Sequence, residues 1–92
     1  MLSYDIKSRI QEIAKKYNVD KLYLFGSGIR SVREPNDIDL AVEGIEDRLF
    51  FKFYGELILN LPKPVDVINL KEKSMFNNII KTKGVLVYEQ IE

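Results

Sequence analysis

The sequence predicts an α/β (α+β) fold in which four short strands alternate with helices in one small domain. Three observations carry this. Along the 92 residues the hydrophobic spacing switches repeatedly between the helical repeat and the strand repeat. Gly, Pro or Asn stands at nearly every switch, where a turn is needed. Hydrophobic residues at 46% and charged residues at 30% give an ordinary globular balance, and the length suits one domain over residues 1–92 with no room for a second.

The first element is a helix. Ser3 is its expected N-cap and Asp5 sits in the first turn, where the helix dipole favours negative charge. Ile6, Ile10, Ile13, Ala14 and Tyr17 recur on one side while Lys7, Lys15 and Lys16 take the wet side, and Asn18 is a suitable stop. Residues 21–25 are short and apolar and end at Gly26, as a buried strand does. Gly26-Ser27-Gly28 reads as a turn, residues 29–32 as the start of a short helix, and Pro35-Asn36 as punctuation. Residues 37–42 alternate as a second strand, closed by Gly44. A long helix over 46–61 stops at Pro62 and Pro64, and residues 65–68 form a third strand. Ser74 caps a helix carrying Met75, Phe76, Ile79 and Ile80, with Gly84 as its stop. Residues 85–88 form the last strand.

The composition narrows the chemistry. With no cysteine and no histidine, thiolate chemistry, the Ser-His-Asp triad and the usual zinc sites are excluded. Catalysis has to draw on carboxylates, hydroxyls, Lys, Arg or a bound metal. A formal net charge of zero gives no basic excess for direct nucleic-acid binding. The apolar runs fall far short of the ~20 residues that cross a bilayer, so a cytoplasmic protein is expected.

Asp37 and Asp39 stand at i and i+2 on a strand and therefore share a face. Two adjacent carboxylates repel, and a divalent cation would offset that; a solvated strand end is the alternative. Gly26-Ser27 lies where a strand hands over to a helix, a place at which backbone N–H groups can approach a phosphate, although such a turn also occurs without a ligand. A dinucleotide-binding Gly-x-Gly-x-x-Gly reading fails because Ser31 occupies the third glycine position. The short connection makes the first two strands adjacent and antiparallel, which brings Gly26 and Ser27 to the same end of the sheet as Asp37 and Asp39. Asp66 opens the third strand between apolar neighbours and reaches the same end if that strand runs parallel to the second.

The run Gly26-Ser27-x-x-Arg30 followed by Asp37-Ile38-Asp39-Leu40, with the later Asp66, resembles the signature of the DNA polymerase beta nucleotidyltransferase superfamily, and the length resembles its minimal nucleotidyltransferases, the MNT proteins. The family motif usually places glycine after the arginine, where this chain has Ser31. The resemblance implies a mixed sheet with helices packed on it, and Mg²⁺-dependent transfer of a nucleoside monophosphate, with ATP as the expected donor of AMP. It implies that Asp37, Asp39 and Asp66 hold the metal and carry catalysis, and that Gly26 and Ser27 hold the phosphates. Arg30 is a candidate phosphate contact or a surface arginine. Two Mg²⁺ ions about 4 Å apart would clamp the attacking and leaving oxygens. MNT proteins commonly pair with a helical HEPN toxin, which they neutralise, in some systems by adding AMP to a partner tyrosine. A non-catalytic antitoxin that binds nucleotide and neutralises by contact is the alternative.

The helix over 46–61 spreads its apolar residues over roughly 200° of its surface, wider than one core needs. Either it covers a small core with some apolar spill, or Phe50, Phe51 or Tyr54 anchors a contact with a second copy or a helical partner.

Overall fold

The computed structural model describes residues 2–26 and 36–91. Their elements are α1 (Tyr4–Lys16), β1 (Lys21–Phe25), β2 (Ile38–Glu43), α2 (Phe50–Asn60), β3 (Val65–Asn69), α3 (Met75–Lys83) and β4 (Val85–Glu89). The short helix expected over 29–32 lies outside the described residues. The Ser3 hydroxyl caps α1 by accepting the Ile6 N–H at 3.3 Å, and Ser74 caps α3 by accepting the Asn77 N–H at 3.0 Å. Asn18 follows α1 with φ of 58°, the left-handed turn that ends many helices and that Asn tolerates better than most residues.

One element differs from expectation. The helix expected over 46–61 begins instead as a 3-10 turn at Asp47–Leu49 and becomes α-helical only at Phe50. Neither Glu46 nor Leu49 offers a side-chain hydrogen bond to the first N–H groups. Without a cap those donors favour the tighter turn, whose Leu49 N–H reaches the Glu46 carbonyl at 2.9 Å.

The four strands form one mixed sheet in the order β3-β2-β1-β4. β1 is antiparallel to β2 and β4, while β2 and β3 are parallel, as a crossover through α2 requires. Strand alternation then sorts the side chains. Leu22, Leu24, Ile38, Leu40, Val42, Val65 and Val67 face one side, where they pack with Ile6, Ile10 and Ile13 of α1 and Phe53 and Leu57 of α2. Tyr23 and Ala41 face the other side and meet Leu70 and Ile80 of α3. Each fully buried aliphatic or aromatic side chain in the larger cluster contributes about 1.5–3 kcal/mol, so this face holds the fold together. The opposite face is covered by a single short helix and carries the acidic residues of β2 and β3. No helix among the described residues is long and apolar enough to cross a membrane.

Candidate active site

The site is built by strand register. β1 ends at Phe25, which pairs with Asp39 across the antiparallel ladder, and Asp39 pairs with Asp66 across the parallel one. Ile38 and Leu40 bury themselves against the helices of the larger cluster, and so do Val65 and Val67. The intervening Asp39 and Asp66 must therefore project from the other face, beside one another. Asp37 sits one residue before β2 rather than within it, and is exposed.

Gly26 completes the group. Its φ is 79°, in the left-handed region, and a Cβ placed there would stand 2.6 Å from Asp39 Oδ2 and 3.3 Å from its Cγ. Only glycine satisfies both the backbone turn and the close approach of that carboxylate. The expected phosphate contacts Ser27 and Arg30, and Ser31 beside them, lie outside the described residues.

The electrostatics follow from this crowding. Burial pushes the Asp39 carboxyl above the usual carboxylate range, and the negative charges of Asp66 and then Asp37 push it further. Asp66 and Asp37 thus lie close enough to Asp39 to disfavour its charge. Among the described residues, however, no three acidic side chains already meet at metal-ligand spacing. Asp66 Oδ1 accepts a hydrogen bond from the Tyr54 hydroxyl of α2 at 3.3 Å. The donor set consists of carboxylate oxygens alone, which suits a hard divalent cation such as Mg²⁺ rather than a thiolate- or imidazole-seeking metal.

Two neighbours of the site have no signature in the sequence. Tyr54, a candidate contact aromatic by helical spacing, is half-buried and directed to Asp66. Phe76 of α3 meets Phe25 edge to face, with ring centroids 6.5 Å apart, so an aromatic pair stands next to the strand position that faces Asp39. Both contacts join residues from separate elements, and only the packing of α2 and α3 on the sheet brings them together.

The fold has solved counterparts. The crystal structure of the MntA–HepT toxin–antitoxin has a TM-score of 0.70 at 19% identity, covering 96% of this chain and 74% of that one. A toxin–antitoxin crystal structure with AMP-PNP gives 0.72 at 22% identity, covering 91% and 73%. A structure of the tri-AMPylated Shewanella oneidensis HEPN toxin in complex with MNT antitoxin gives 0.69 at 21% identity, covering 92% and 71%. At these identities the likeness is one of fold. No curated protein matches the chain. The family model for the polymerase beta nucleotidyltransferase domain matches residues 8–92, which takes in every strand and the whole acidic end of the sheet. The chain belongs to the polymerase beta nucleotidyltransferase family.

Proposed function

We propose that this chain is a single minimal nucleotidyltransferase domain that transfers AMP from ATP, with Mg²⁺, to a hydroxyl of a helical HEPN-type partner protein, acting as its antitoxin in the cytoplasm. The observation that carries the reading is the register of Asp39 and Asp66 on neighbouring strands with Gly26 packed against Asp39. Fold neighbours captured with AMP-PNP and with an AMPylated HEPN toxin support the choice of nucleotide and partner.

In this reading Asp37, Asp39 and Asp66 hold the metal, and Gly26, Ser27 and Arg30 hold the phosphates. Bound Mg²⁺ would neutralise the triphosphate and lower the pKa of the acceptor hydroxyl, which suits a chain with no histidine base. The acceptor oxygen attacks the α-phosphorus, the bond to the bridging oxygen breaks, pyrophosphate leaves, and Asp66 takes the proton. Gly26 keeps the carboxylate end of the sheet open to the phosphates, since any larger residue there would fill the space beside Asp39. Asp39, the most crowded carboxylate, gains most from a cation, because its charge is already disfavoured by burial and by its neighbours.

In a second reading the protein binds nucleotide but neutralises its partner by contact alone. The two separate on one experiment. A purified HEPN-type candidate partner is incubated with this chain, labelled ATP and Mg²⁺. Transfer of label that is lost in Asp37→Asn and Asp39→Asn supports the enzyme. Neutralisation that persists in both variants with no label transferred supports the contact antitoxin.

A further inference from the structure

Helix α2 is apolar on two opposite sides. Phe53 and Leu57 are fully buried against the sheet. At 100° per residue, Phe51, Gly55, Ile58 and Leu59 fall on the far side within a stripe about 100° wide. There Phe51 is 80% exposed, Ile58 54% and Leu59 86%. A surface helix of a monomer presents polar residues on that side.

Gly55 lies at the centre of this stripe and at the midpoint of α2 (Phe50–Asn60). Among the described residues nothing requires a glycine there. A Cβ would meet no atom within 4 Å, and the backbone is ordinary helix with no positive φ. A mid-helix glycine nonetheless weakens the helix relative to alanine. A glycine at the centre of an exposed apolar stripe fits the close approach of another backbone.

We propose that the outer face of α2 pairs with the same face of a second copy of this chain, the two helices crossing antiparallel at Gly55. The occupant is indicated by self-complementarity. Phe51 and Leu59 stand four residues to either side of Gly55. A two-fold axis through Gly55 therefore sets Phe51 of each copy against Leu59 of the other, large side chain on large side chain, with the glycines meeting at the crossing point. Charge does not oppose the pairing. The helix carries only Lys52 and Glu56, and Glu56 is turned to α1, where it accepts hydrogen bonds from the Lys16 ammonium at 2.9 Å and the Tyr17 hydroxyl at 3.0 Å. Lys52 sits at the rim of the stripe, where its stem can lie along apolar surface with its ammonium in water. The three exposed side chains offer on the order of 450 Å² per copy, about 900 Å² for a symmetric pair, the size of a weak and concentration-dependent interface rather than a permanent one. This pairing does not rest on the nucleotide chemistry: among the described residues the one α2 side chain shown to meet a site carboxylate is Tyr54, which lies outside the stripe of Phe51, Gly55, Ile58 and Leu59.

Light scattering across a concentration series, on the full chain alone, tests it. The wild type should rise to twice its 10.7 kDa mass as concentration increases. Phe51→Glu should remain monomeric with unchanged circular dichroism. Gly55→Gln should also remain monomeric while its melting temperature rises by roughly 4–8 °C, because a better helix former replaces glycine in open space. Loss of dimer with gain of stability is a pair of effects that mere damage to the fold cannot produce. The chain has no cysteine of its own, so Phe51→Cys mixed with Leu59→Cys should form a mixed disulfide dimer in preference to either homodimer. A wild type that is monomeric throughout, a dimer indifferent to Phe51→Glu and Gly55→Gln, or capture of a HEPN-type partner by this face in place of a second copy would each overturn the proposal.

Discussion

Replacing Gly26 by alanine tests the central contact of the site. The residue has φ of 79°, and holding an L-amino acid in that region costs about 1–2 kcal/mol. The new Cβ would also stand 2.6 Å from Asp39 Oδ2 and 3.3 Å from Cγ. The carboxylate would have to rotate away, and a side chain forced some 30° off its rotamer costs a further ~0.5–1.5 kcal/mol. The expected loss is therefore about 1.5–3.5 kcal/mol, or roughly 6–28 °C in melting temperature for a chain of this size. In an Asp39→Ala background the two short contacts vanish and only the Asp39 Cβ remains, at an ordinary 3.5 Å. There Gly26→Ala should cost only the backbone share of about 1–2 kcal/mol. Urea denaturation followed by far-ultraviolet circular dichroism on the four proteins of this cycle measures the difference. An equal cost of Gly26→Ala in both backgrounds would refute the packing of Gly26 against Asp39.

Asp39→Asn should raise the thermal stability of the metal-free protein, because burial and the charges of Asp66 and Asp37 disfavour the carboxylate in the fold; its folded pKa lies above the unfolded one, so at neutral pH the ionised form weakens folding and a neutral isostere removes that loss. The same variant should lose most of the stabilisation that Mn²⁺ confers on the wild type, measured by thermal shift. Tyr54→Phe removes the hydroxyl that Asp66 accepts from and should change Mn²⁺ affinity by calorimetry at least several-fold, toward the ~10–100-fold typical of groups that orient metal ligands, with the fold intact. The Lys16 ammonium, by its hydrogen bond, holds the Glu56 carboxyl below the usual range, aided by the Tyr17 hydroxyl. Its stabilising contribution is present above the unfolded carboxylate pKa and is lost as pH falls through the lower folded value, so Glu56→Gln should flatten the acid limb of stability against pH.

The sheet was largely legible in the sequence because its signals are local. Residues 22–25 are apolar and end at a glycine, and the short connection from β1 to β2 favours the antiparallel pairing that the sheet has. Asp66 was harder to place, since a strand reached through a helix can lie on either side of the sheet. The parallel pairing of Asp39 with Asp66 resolves this. The start of α2 could not be read from periodicity, because the charged Asp47 and Arg48 carry no apolar spacing that separates a 3-10 turn from an α-helix, while the missing cap favours the turn. The same periodicity could not tell Phe50 and Tyr54, which pack against the core, from Phe51, which is exposed. Which part of a wide apolar arc turns inward depends on how the helix lies on the sheet. The hydrogen bond from Tyr54 to Asp66 joins two elements and leaves no trace in local spacing.

Intact-mass analysis of a HEPN-type candidate partner, after incubation with this chain, ATP and Mg²⁺, tests the proposed activity most directly. The prediction is a mass increase of one or more whole AMP groups on a partner hydroxyl, absent without Mg²⁺ and absent with Asp37→Asn or Asp39→Asn. A partner that is bound and neutralised by the wild-type chain yet gains no AMP would contradict it.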